Sequence, residues 1–107
     1  MDIEMIAMTL IGHAGETKSL AFQAIDEAKK GNFVEAENFL KKSTEETLKA
    51  HELQTNLIVR EADGEKMEVG LIMVHAQDHL MTAILFKELA KEFIEVYKRL
   101  EQKIDKK

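Results

Sequence analysis

Two histidines and an aspartate stand within five residues of one another in the run Val74-His75-Ala76-Gln77-Asp78-His79-Leu80-Met81. On a helix, side chains three and four positions apart are neighbours. The spacing therefore gathers His75, Asp78 and His79 on one side, on or beside apolar seams. Three readings fit such a group. A neutral imidazole, with an ordinary pKa of about 6.5, is a nucleophile near neutral pH. Histidine and aspartate are also metal ligands, although three ligands on a single helix rarely converge and others would have to come from elsewhere. The third reading involves no chemistry: polar residues on an apolar seam set register or oligomer state, and need partners because unpaired burial costs roughly 1–3 kcal/mol each. Spacing alone leaves all three open.

The remaining polar candidates are more scattered. His51 and Gln54 fall on the preceding helix and are candidates to line the same cleft. Gln77 lies inside the motif, either as a hydrogen-bond partner near the site or at a solvated helix position. His79 either serves a group held at His75 or packs as a core histidine. His13, between Gly12 and Gly15, reads as incidental, and the two glycines as a place of close helix approach, where a phosphoryl group or a partner docks. Met5, Met8, Met67, Met73 and Met81 suit irregular packing gaps, with exposed members forming an adaptable surface for partner proteins. Glu45-Glu46 and Lys87-Glu88 read as solvated faces.

The elements that must position these residues are helices. Gly31-Asn32 and Asp63-Gly64 are the two breaks. Gly31 suits the left-handed position just past a helix end, and Asn32 with Glu35 has the form of an N-cap and its capping-box partner. Asp63-Gly64 is a turn signal, and Gly70 weakens the start of the third helix. The spacing predicts helices over 2–30, 33–62 and 67–103. Short joints make neighbours antiparallel, giving an all-α, up-down-up three-helix bundle.

Apolar residues recur at alternating steps of four and three, the repeat of shallowly crossing helices. The first seam is Ile3, Ala7, Leu10, Ala14, Thr17, Ala21, Ala24 and Ala28. The second is Phe33, Ala36, Leu40, Ser43, Thr47, Ala50, Gln54 and Leu57. The third helix offers Ile72, His75, His79, Thr82, Phe86, Leu89, Phe93, Val96 and Leu100 as its seam. It also carries an additional stripe of Leu71, Val74, Asp78, Met81 and Leu85. Two stripes ask for two sets of neighbours, and the extra one points to a homo-oligomer built around this helix.

Composition narrows the function classes. With 107 residues the chain reads as one domain with a modest core. It is 45% hydrophobic and 33% charged, with a net charge of -5, no proline and no cysteine. Disulfide and thiol chemistry are excluded, and bulk charge draws the chain neither to nucleic acid nor to an anionic membrane. No apolar run approaches the roughly 18 residues that span a bilayer. Met1-Asp2-Ile3-Glu4 lacks the basic start of a secretory signal. The expected location is the cytoplasm, without membrane insertion.

The run from Val74 to Met81 resembles the signature of the IIA components of the bacterial phosphotransferase system, lactose/cellobiose (N,N'-diacetylchitobiose) family. The likeness extends along the chain as a single domain over 1–107. Ala14-Gly15-Glu16 followed by Ser19 resembles that family's first-helix signature, and Gly31-Asn32-Phe33 its first turn. Ala50-His51, Gln54-Thr55, Leu57-Ile58 and Glu61-Ala62 followed by Gly64 resemble its second helix. Leu89-Ala90 and Tyr97 fall where its third helix has them.

The resemblance implies a homotrimer of three-helix subunits assembled through the third helix. It implies that the general histidine phosphocarrier protein phosphorylates His75. A cysteine of the IIB component then takes the phosphoryl group, and the membrane IIC component receives it indirectly as a β-linked disaccharide enters. It implies that Asp78 gathers near the threefold axis with a divalent cation, Mg2+, one per trimer and structural. Two departures stand out. Asn32 replaces the usual aspartate of the turn, and Thr17-Lys18 stands where Ala-Arg is common, which puts that arginine's contact in question.

Overall fold

The structure, a computed structural model, describes residues 2–105. It consists of α1 (Ile3–Lys29), α2 (Phe33–Ala62) and α3 (Leu71–Asp105). The helices lie side by side in a rod of 63 × 19 × 19 Å. No described helix is long and apolar enough to cross a membrane.

Local sequence explains most of the boundaries. Asp2 caps α1, its carboxylate accepting from the Met5 N–H at 2.8 Å. Beyond Lys29 the chain turns through Gly31 at φ +83°. There the Gly31 and Asn32 N–H groups close onto the Ala28 and Glu27 carbonyls. Gly64, at φ +98°, makes the second turn. Two expectations need correction. Asn32 occupies the N-cap of α2 but makes no capping bond; its amide donates to Glu27 Oε2 at 2.9 Å instead. The third helix starts at Leu71 rather than Met67, because Gly70 gives its first turn little intrinsic support.

α1 lies between the other two and packs along both; α2 and α3 meet over a shorter stretch. The seams predicted for α1 and α2 are the buried ones, from Ala7 to Ala28 and from Ala36 to Leu57. Between two apolar clusters lies a layer of hydroxyls. Ser43 Oγ donates to the Thr17 carbonyl at 2.8 Å, and Thr47 Oγ1 donates to the Ser43 carbonyl at 3.0 Å. The single Thr47 proton is thereby used, so Thr17 is the donor in their 3.4 Å contact. Among the described residues no buried side-chain polar atom lacks a partner.

The seam predicted for α3 is wrong by a rotation about the helix axis. The residues facing α1 and α2 are Ala76, Leu80, Ala83, Ala90 and Ile94. The predicted stripe runs along the flank, where Leu89, Phe93, Val96 and Leu100 are about half exposed. Phe86 on that flank stacks against Phe22 of α1 with ring centroids 4.3 Å apart. Both stripes share the same three-and-four repeat, so the repeat cannot choose between them, and side-chain size pointed the wrong way. Small side chains let the helix axes come close; the large ones of α3 are left outside. Leu71, Val74, Met81 and Leu85, on the side away from the bundle, are all more than half exposed.

Candidate functional site

The site is built on the N-terminal half of α3. Ala76 and Leu80 are fully buried and join Ile6, Leu10, Ala50 and Leu57 in one apolar cluster. They anchor the turn that carries the polar residues between them. His75 and His79, one turn apart, meet edge to face with ring centroids 5.4 Å apart. His75 is exposed and His79 is half-buried. Asp78 is exposed on the adjacent side. The helix thus brings these three residues together as the spacing required.

The next element to reach the site is α1, through a residue that sequence reasoning had left in doubt. Lys18 Nζ lies 2.9 Å from His79 Nδ1. Lysine there can only donate, so the ring nitrogen accepts. Lys18, which stands where arginine is common, thus contacts the site in this chain. His79 is neither loose nor simply packed; it is held from across the helix interface.

Gln77, Gln54 and His51 are not part of this cluster. Residues two apart on a helix point about 200° away from each other, so Gln77 faces α2 while His75 and His79 face outward and toward α1. Gln54 Nε2 donates to Gln77 Oε1 at 2.6 Å, and Gln77 Nε2 contacts Met73 Sδ at 3.6 Å. Both glutamines line a cleft of about 260 Å³ with Leu57, Met67, Val69 and Met73. His51 is exposed on α2.

His13 is not incidental. Its Nδ1 lies 2.6 Å from Glu46 Oε2, bridging α1 to α2. Glu46 is correspondingly not a solvated residue: its side chain is 19% exposed and also pairs with Lys49 at 3.2 Å. The bond to His13, then the one to Lys49, holds its carboxyl below the ordinary carboxylate range despite an opposing effect of burial. Gly12 and Gly15 do not admit a neighbouring helix within the chain, since a Cβ at either would meet nothing within 4 Å. The methionines divide: Met67 and Met73 pack against the core, whereas Met5, Met8 and Met81 are more than half exposed.

The chain and its bundle are matched closely among known proteins. Residues 5–98 match the family described as PTS system, lactose/cellobiose specific IIA subunit. The PTS system galactose-specific EIIA component of Lactococcus lactis subsp. cremoris is 50% identical over 96 residues, 90% of this chain and 83% of that one. The crystal structure of the PTS cellobiose-specific enzyme IIA from Bacillus anthracis superposes with a TM-score of 0.92 at 46% identity, covering 96% of this chain and 95% of that one. The IIA(Chitobiose) structure solved in complex with HPr, from the Escherichia coli phosphotransferase system, gives a TM-score of 0.81 at 39% identity over 94% and 98%. The chain belongs to the lactose/cellobiose-specific IIA subunits of the bacterial phosphotransferase system, phosphotransferase components that work through a phosphohistidine.

Proposed function

We propose that His75 is the phosphoacceptor, receiving its phosphoryl group from the general histidine phosphocarrier protein and passing it to a cysteine of a cognate IIB component. The observation that carries this reading is the exposure of His75 on a rigid helix, its ring beside that of His79. A partner histidine can approach it without any part of the fold moving. In the first transfer a ring nitrogen of His75 attacks phosphorus in line with the departing donor imidazole. The new N–P bond forms as the old one breaks, and its electron pair returns to the donor ring. In the second, the IIB thiolate forms an S–P bond and the His75 N–P bond breaks. Positioning and charge stabilisation supply most of the catalysis in such transfers. The HPr-bound structural relative supports the first step. The relay ends in uptake of a β-linked disaccharide of the cellobiose, chitobiose or lactose kind through the membrane IIC component.

The working form in this proposal is a homotrimer assembled through the outward face of α3. The large apolar residues of that face, with no cover in a single subunit, support it. Asp78 lies among them. Among the described residues no three His, Cys, Asp or Glu groups of one subunit are arranged to hold a metal. Three Asp78 carboxylates converging at a threefold axis would form an oxygen donor set suited to Mg2+, which would neutralise them and tie the subunits together.

The test is phosphorylation by phosphoenolpyruvate, the first enzyme of the system and the phosphocarrier, read as intact mass. His75→Gln abolishes the acid-labile phosphoryl adduct while helix content and assembly size persist. His79→Gln slows transfer without abolishing it. Wild-type phosphorylation of His75→Gln would overturn the assignment.

A further inference from the structure

Two histidines one turn apart on one exposed helix face raise a question of selection: why one of them accepts the phosphoryl group and the other does not. Their hydrogen bonding differs. Among the described residues, the histidines with side-chain hydrogen bonds are His13 and His79, and neither ring nitrogen of His75 has a partner there. The partner of His79 is an ammonium, 2.9 Å from Nδ1, and an ammonium has three donors and no acceptor. The Nδ1 lone pair must therefore receive the bond. The proton of the neutral ring is then on Nε2, which has no lone pair to offer. Neither nitrogen of His79 is left to attack phosphorus.

Lys18 is well placed to impose this. It sits half-buried on α1, next to the buried Thr17, so its backbone is fixed by the hydroxyl layer that joins α1 to α2. Gly15, one turn before it, leaves that part of α1 open, with nothing within 4 Å of where a Cβ would be. The lysine thus reaches α3 beside unfilled space rather than through a crowded interface.

We propose that Lys18 is a positioning residue that makes the acceptor choice. By occupying Nδ1 of His79 it holds that ring as an Nε2–H donor and withdraws it from nucleophilic attack, leaving His75 as the acceptor of the pair. This rests on the phosphocarrier reading for its consequence, but the hydrogen-bond arrangement is testable without any transfer. Arginine, which likewise only donates, would do the same work; methionine, with no donor, would not.

Two measurements on the assembled protein decide it. Long-range ¹H–¹⁵N correlation spectra report which nitrogen of His79 carries the proton. The expectation is Nε2–H in wild type and Lys18→Arg, and a mixture of tautomers in Lys18→Met. An unchanged His79 tautomer in Lys18→Met overturns the proposal. Phosphorylation by the phosphocarrier, with the modified residue mapped by fragmentation, reads the consequence. Loss of one charge-assisted bond in the site slows transfer to His75 by about tenfold in Lys18→Met, and Lys18→Arg restores the rate. In a His75→Gln background, adding Lys18→Met opens slow phosphorylation of His79. Absence of phosphoryl at His79 in that double variant, in a chain whose circular dichroism and sedimentation match wild type, also overturns the proposal. Should His75→Gln alone accept phosphoryl at the wild-type rate, the phosphocarrier assignment fails, while the tautomer spectra still judge the role of Lys18.

Discussion

Replacing Asp78 with leucine would separate assembly from chemistry on α3. Asp78 stands among Leu71, Val74, Met81 and Leu85, which are 84%, 52%, 54% and 61% exposed in one subunit. Burying a whole apolar side chain contributes about 1.5–3 kcal/mol, so covering the exposed portions of these four contributes roughly 5 kcal/mol per subunit. The carboxylate opposes that gain. Three of them meeting about 4 Å apart, at an effective dielectric near 20, repel by roughly 4 kcal/mol per pair, and each is also desolvated. A leucine removes both penalties, and exchanges of buried ionic groups for packed apolar ones are typically neutral or stabilising by ~1–4 kcal/mol. Asp78→Leu is therefore expected to keep the proposed trimer in sedimentation equilibrium and to melt no lower than wild type in the presence of a chelator. Added magnesium should raise the melting temperature of wild type, as a ligand of the assembled native state does, and leave the variant unmoved. The variant should still accept phosphoryl at His75. A variant that folds and assembles yet accepts none would refute the reasoning, because Asp78 would then belong to the transfer itself. So would dissociation into monomers, because the stripe would not be the axis.

Three further outcomes are expected from the packing and the polar contacts. Leu80→Ala removes a fully buried side chain beneath the site and should cost about 3–5 kcal/mol in denaturant unfolding, with phosphorylation lost in step with folding; a cost below about 1 kcal/mol would mean this end of the core is loosely packed. The folded carboxyl of Glu46 ionises below its ordinary value of 4.5, so its contribution is present above that value and is lost as pH falls through the lower folded one. Glu46→Gln should accordingly lower stability at pH 7 and flatten the acid limb of a stability–pH curve below about 4.5; an unchanged acid limb would remove the His13–Glu46 bridge from the account. Gly31→Ala forces a side chain into φ +83°, with the Glu101 carboxylate 2.9 Å from the new Cβ, and should lower stability by about 1–2 kcal/mol, seen as a lower melting temperature without change in transfer rate.

The parts of this fold legible in the sequence are those where one residue type has one use. Gly31 and Gly64 mark the turns because left-handed backbone favours glycine. The α1 and α2 seams are legible because their alanines and hydroxyls have no competing stripe. α3 misled because it is apolar on more than one side, and a repeat gives the period of a helix but not which phase faces home. At the site, the His75–Asp78–His79 cluster is a consequence of helical spacing within one element. His13, Glu46 and Lys18 were missed or misread because their partners lie on other helices, 33 residues away for the His13–Glu46 pair and 61 for Lys18 and His79. The signal for Lys18 was present only as a departure, a lysine where arginine is usual. Gln77 shows the reverse error, since closeness in sequence to the histidines puts it on the opposite side of the helix.

The hydroxyl layer of Thr17, Ser43 and Thr47 also acts as a vernier for the bundle. Alanine seams are nearly uniform, and sliding α1 past α2 by one heptad, about 10.5 Å, would set much the same methyl groups against each other. It would also carry the Ser43 hydroxyl away from the Thr17 carbonyl it bonds at 2.8 Å and bury it opposite apolar residues of the same seam. One alignment is thereby distinguished from its near-copies. Lys18 comes directly after Thr17 in α1, so the residue that reaches His79 across to α3 adjoins the residue that fixes α1 against α2.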